Sequence, residues 1–236
     1  MSTFATAPSL PPPSEYNLRS TINKNVEALR SSHATTFATL ALPTSLLTFG
    51  TNGVNRSDLS AYLSSPLGPS KGLEGCASGL YYDAALRGDR VFAASSTGVD
   101  VFSLQALLAA DGDASASKSL LTHPSPFASS TECNGVAVPS EGGSIYAAGG
   151  DTFGVYVFDV EKGFVRNVGK NSSYLHCVSH DDSTLAWGGE DGDVAFADVR
   201  SAGGEERKVS IKKSLPGKVG TAWVSGVELS GEWCRA

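Results

Sequence analysis

A strand, a turn of small residues and a second strand recur four times in this 236-residue chain. No other feature constrains the fold as much. The clearest copy, Thr184 to Arg200, reads T-L-A-W-G-G-E-D-G-D-V-A-F-A-D-V-R. Leu185 to Trp187 supplies one strand and Asp193 to Val199 the other. Gly192 stands where a tight turn needs positive φ, and Asp191 is placed to bond its own turn. In the second strand Val194 and Phe196 point one way, while Ala195, Ala197 and Val199 point the other. A hairpin apolar on both faces has to be covered on both.

The other copies are Ser45 to Leu63, Arg90 to Leu104 and Ser144 to Val160. Their turns begin near Gly50, Ser95, Gly149 and Gly188, in steps of roughly 40 to 55 residues, a period expected of propeller blades with outer loops of varied length. Each hairpin follows an apolar lead-in: Thr36 to Leu42, Leu80 to Leu86, Gly135 to Val138 and Tyr174 to Val178. These read as innermost strands. Arg207 to Lys213 alternates Val209 and Ile211 with Lys208, Ser210 and Lys212, as a half-wet outermost strand should. The pattern predicts an all-β chain, an incomplete β-propeller of about four blades and the start of a fifth, because blades are covered by neighbours on both faces.

Gly188 to Arg200 looks like a WD repeat, with Asp198 matching the aspartate of the Trp-Asp dipeptide and Ala197 where tryptophan usually stands. From Cys133 to Trp233 the series N-G-V-A-V-P, A-A-G-G-D, Y-L-H-C, G-G-E-D-G, D-V-R-S and W-V-S-G resembles the THO complex subunit 6 family of seven-bladed WD-repeat proteins. About a hundred residues carry the likeness by motif, and those before Cys76 carry it by pattern. The resemblance implies a nuclear, non-enzymatic scaffold in mRNA processing and export (TREX). Its partners would be the other THO subunits, especially coiled-coil subunits 5 and 7. It also implies that the chain is an N-terminal portion of a longer ring. The rival readings are a WD scaffold of another intracellular complex and, less favoured, a propeller enzyme with carboxylates at the ring's centre.

Twenty-six glycines and 11 prolines favour many turns over long helices. A net charge of −6 opposes electrostatic binding of nucleic acid by the whole chain, so RNA contact is expected to be indirect at most. Cys76, Cys133, Cys177 and Cys234 are widely spaced, which suggests neither a disulfide framework nor a zinc site. No run approaches the ~18 apolar residues of a membrane span. Residues 1–14 read as a disordered tail. Residues 15–32 read as a short amphipathic helix, with Leu18, Ile22, Val26 and Leu29 at helical spacing. Residues 33–236 read as the partial propeller, with Ser64 to Gly75 and Ala109 to Thr131 as long outer loops.

No catalytic residue, metal ligand or cofactor site is expected. His180, Asp181 and Asp182 read as a turn. His176 and Cys177, adjacent on a strand, point to opposite faces and read as core. Gly149, Gly150 and Asp151, like Gly188, Gly189, Glu190, Asp191 and Gly192, read as blade-turn motifs. They place carboxylates where a phosphate cradle would want amides and a lysine. Among basic residues, Lys208, Lys212 and Lys213 are the candidates for weak RNA contact, but lysine on an outer strand more often protects an exposed edge. Trp187, Trp223 and Trp233 fall in or beside expected strands, which argues against base stacking.

Overall fold

The computed structural model describes residues 35–58, 74–109, 118–120, 132–181, 183–200, 207–210, 223–230 and 233–235. The expected tail and amphipathic helix, 1–14 and 15–32, lie outside them, as do Lys212 and Lys213. From Thr35 onward the chain forms one compact unit.

Four antiparallel sheets of four strands follow one another along the chain, and within each the spatial order is the sequence order or its reverse. The first holds β1 (Thr36–Ala41), β2 (Ser45–Gly50), β3 (Gly53–Asp58) and β4 (Glu74–Ala77). The second holds β5 (Tyr81–Arg87), β6 (Arg90–Ser95), β7 (Gly98–Ser103) and, after a short helix α1 (Leu104–Ala109), β8 (Lys118–Leu120). The third holds β9 (Cys133–Ala137), β10 (Ser144–Gly149), β11 (Gly154–Asp159) and β12 (Gly163–Lys170). The fourth holds β13 (Leu175–Asp181), β14 (Thr184–Gly189), β15 (Asp193–Asp198) and β16 (Arg207–Ser210). A two-stranded sheet follows, β17 (Glu228–Ser230) with β18 (Trp233–Arg235).

Successive side chains on a strand face opposite ways, and the second strands of the second, third and fourth sheets divide their residues between two cores accordingly. In β6, Val91 and Ala93 pack toward the first sheet while Phe92 and Ala94 pack toward the third. In β10, Ile145 and Ala147 join the core shared with the second sheet, and Tyr146 and Ala148 the core shared with the fourth. In β14, Leu185 and Trp187 face the third sheet, whereas Ala186 joins Val224 beyond the fourth. The first strands β1, β5, β9, β13 and β17 touch in sequence order. The arrangement is β-propeller-like, and the described residues form no closed ring.

Four equivalent backbone hydrogen bonds show how faithfully the unit repeats. The residue following each second strand donates to the residue preceding the first: Thr51 to Thr35, Ser96 to Leu80, Gly150 to Glu132 and Glu190 to Tyr174, at 3.0, 3.3, 2.9 and 3.0 Å.

Some expectations are corrected. Glu74 and Gly75 open a strand rather than close a loop, and β8 lies inside the stretch read as the second long loop. His180 and Asp181 end β13 and are not turn residues, with the His180 ring stacked on Tyr146 at 4.9 Å. Val209 is 53% exposed, so β16 is wetter than its alternation indicated. Its side chain has no further sheet among the described residues to cover it.

Candidate functional site

The first strand of every four-stranded sheet carries one extra residue near its start, and the extra residues converge. Pairing of β1 with β2 skips between Thr36 and Ala38, and that of β5 with β6 between Tyr81 and Asp83. It skips between Cys133 and Gly135 against β10, and between Leu175 and Cys177 against β14. A bulge of this kind re-aims the unpaired side chain. The residues so placed are Phe37, Tyr82, Asn134 and His176, and all four line one cavity of about 370 Å³ together with Glu132, Tyr174, Trp223 and Ser225.

The rings fall into two groups of neighbours along the lining. Phe37 lies 5.6 Å from Tyr82, Tyr174 lies 5.4 Å from His176, and His176 lies 5.9 Å from Trp223. Trp223 is 63% exposed and Phe37 49%, so apolar surface faces water at the mouth. Glu132 is the one charged side chain in the described lining. The Tyr82 and Tyr174 phenols share that lining with it. Burial first, and then the neighbouring Glu132 carboxylate, raise both phenols, Tyr174 to about 12. Both therefore stay protonated donors at neutral pH. Asn134 donates from Nδ2 to Leu175 O at 2.7 Å. The buried Nε2 of His176 has no hydrogen-bond partner among the described residues.

The glycine-rich turns support this cavity rather than forming a site themselves. A Cβ on Gly150 would stand 2.5 Å from Asn134 Nδ2 and 2.6 Å from the Tyr174 ring, so only glycine lets the ring lie there. One on Gly189 would stand 2.0 Å from Tyr174 O, the carbonyl that accepts the Glu190 N–H. Asp191 accepts from Ser172 Oγ at 3.0 Å and from the Asp193 N–H at 3.1 Å, and its own N–H donates to Ser173 Oγ at 2.8 Å. Gly192 has φ of 72° and ends the turn. The second motif thus holds the lead-in that presents Tyr174. Gly149 and Gly189 end β10 and β14, Val224 covers Gly188, and Asp151 is exposed. Asp198 is held locally, accepting from Arg200 N, Nε and Nη2 at 2.9, 3.0 and 2.7 Å. That clasp sets the Asp198 carboxyl low, at about 2.

Lys208 Nζ lies 3.4 Å from Asn171 Oδ1, tying the exposed β16 to the lead-in of β13. Cys177 is buried as expected, its thiol near the Gly188 and Val224 carbonyls at 3.8 and 3.7 Å. His176 does point away from it, but into the cavity rather than the core. Trp223 precedes β17 outside any strand and is exposed, unlike Trp187, which is fully buried.

The sequence concealed the cavity because bulges are invisible in an alternating pattern. The recoverable signal was the triplet lying roughly 12 to 15 residues before each turn: T-T-F, L-Y-Y, E-C-N and Y-L-H at residues 35–37, 80–82, 132–134 and 174–176. Its third member lines the cavity each time. Among the described residues no group of three or more His, Cys, Asp or Glu is placed to hold a metal, and no helix is long and apolar enough to cross a membrane. Comparison with protein-family models and with characterised proteins returns no match.

Proposed function

We propose that this protein is a non-enzymatic WD-repeat scaffold that acts by surface display, as a THO/TREX subunit in nuclear mRNA processing and export. In this reading the four sheets and the β17–β18 hairpin are four blades and the opening of a fifth in a seven-bladed ring. The supporting observation is the four-fold recurrence of one unit, bulge, turn and stitching hydrogen bond included. The resemblance of the motif series from Cys133 to Trp233 is what favours this complex over another. On the first strands, Asp83 serves structure, accepting the backbone N–H groups of Val136 and Ala84 at 2.9 and 2.8 Å.

The test is retention of the full chain on the paired coiled-coil subunits 5 and 7 and, separately, on single-stranded RNA, across a salt series. Capture by the subunits that persists in salt, with weak and salt-labile RNA binding, is the expected result. Tight RNA binding without partners, lost when Lys208, Lys212 and Lys213 are all changed to alanine, overturns the scaffold reading. Failure to bind either leaves only a scaffold of another complex.

A further inference from the structure

We propose that the aromatic cavity receives the guanidinium of an arginine side chain presented by a partner protein. The inference rests on the protein being a docking scaffold, but not on which complex it serves.

The lining selects a cation. Ring faces attract positive charge through their quadrupole, and Glu132 adds a full negative charge among them. No lysine or arginine is present in the described lining, so a strand of nucleic acid stacking its bases on these rings would bring its phosphates against Glu132. Anionic and nucleic-acid ligands are therefore disfavoured.

Among cations, the unfilled acceptors select a donor-rich one. Glu132 shares the lining with the Tyr82 and Tyr174 phenols, and a carboxylate has about four lone-pair sites, enough to accept from more than one donor. The His176 ring lies in the same lining, between Tyr174 and Trp223. A guanidinium brings five N–H donors in one plane and stacks on aromatic faces. A quaternary ammonium brings none. Trp223, exposed and 5.9 Å from the His176 ring, is the face against which that plane can stack.

The test titrates the full chain with the peptide Gly-Ser-Arg-Ser-Gly and with the same peptide carrying citrulline, lysine or trimethyllysine, followed by calorimetry and tryptophan fluorescence. The arginine peptide should bind at least about tenfold more tightly than the citrulline peptide. Glu132→Gln should erase that preference, and Val209→Ser on the outer strand should leave it intact. Equal binding of arginine and citrulline overturns the inference. So does tighter binding of trimethyllysine, or free guanidinium ion matching the peptide. Should Glu132→Gln fail to fold, Trp223→Ala, which removes an exposed ring, carries the same comparison and should weaken the arginine peptide about tenfold. Capture by the coiled-coil pair without discrimination among peptides sinks this inference and leaves the scaffold assignment standing. Peptide discrimination without capture keeps this inference and sinks only the assignment to that complex.

Discussion

Asp83 in the second sheet accepts a hydrogen bond of 2.9 Å from the backbone N–H of Val136 in the third. The relationship recurs around the innermost strands. Asn134 in the third sheet donates to Leu175 O in the fourth at 2.7 Å, and Ser179 in the fourth accepts from Leu229 N in the fifth at 3.1 Å. Each time a side chain of one sheet satisfies the backbone of the next. A first strand is a sheet edge with N–H and C=O groups unpaired on one side, and a buried edge of that kind is costly unless something bonds to it. Polar stitches at the inner ends thus complement the apolar cores between sheets.

Burial pushes the Asp83 carboxyl up to about 6 from its ordinary 3.8, the N–H bonds from Val136 and Ala84 opposing but not cancelling it. The folded state therefore holds a proton that the unfolded chain releases between about pH 4 and 6. Stability from this group is greatest below that window and falls as pH rises through it, by at most about 3 kcal/mol. Asp83→Asn keeps an acceptor for Val136 and cannot ionise. The variant should lose that slope and equal or exceed the parent in stability at pH 7. Urea melts from pH 4 to 8 decide it: parallel profiles for the two proteins would remove Asp83 as the titrating group.

Gly150→Ala should disturb the cavity more than the fold. The added methyl meets the Asn134 amide and the Tyr174 ring, both at the cavity wall, so the ring must swing away from Glu132. A cost of about 1 to 3 kcal/mol is expected. The second-derivative absorbance of tyrosine should shift, and an unchanged spectrum with unchanged stability would mean the ring does not lie on Gly150.

What the sequence disclosed follows from what each element needs. The hairpins were legible because β10, β11, β14 and β15 are buried on both faces, and that demand writes apolar residues at every position between two glycine turns. Outer strands carry no such demand. Glu74–Ala77 and Lys118–Leu120 are short and flanked by small polar residues, so they read as loops. Helix α1 spans six residues and buries only Leu107, too little for periodicity to register. The bulges were hidden for another reason: Phe37, Tyr82, Asn134 and His176 differ in chemistry and share only a register.

Cys76, Cys133 and Cys177 are buried, and burial raises the Cys133 thiol far above its ordinary range. The thiolate is the reactive form, so these three should resist a thiol reagent in the native protein and react together on unfolding. Mass mapping after brief alkylation checks it. Modification of Cys133 at the native rate of a free thiol would show that the second and third sheets do not enclose it.

The contact between Gly169 and Trp187 gives the sharpest test of how two sheets pack. Trp187 is fully buried in β14, and a Cβ on Gly169 in β12 would lie 2.4 Å from its Cζ2 and 2.6 Å from its Cη2. Gly169→Ala should overpack the interface by about 1 to 3 kcal/mol. Trp187→Phe alone should lose packing but also remove an indole N–H that has no partner among the described residues, which offsets part of the loss. In the double variant the smaller ring leaves room for the methyl, so the two costs should not add. A coupling of at least about 1 kcal/mol in the stabilising direction is expected from urea melts of the four proteins. Additivity to within about 0.5 kcal/mol would mean that the tryptophan does not rest on the glycine, and that the third and fourth sheets meet through some other surface.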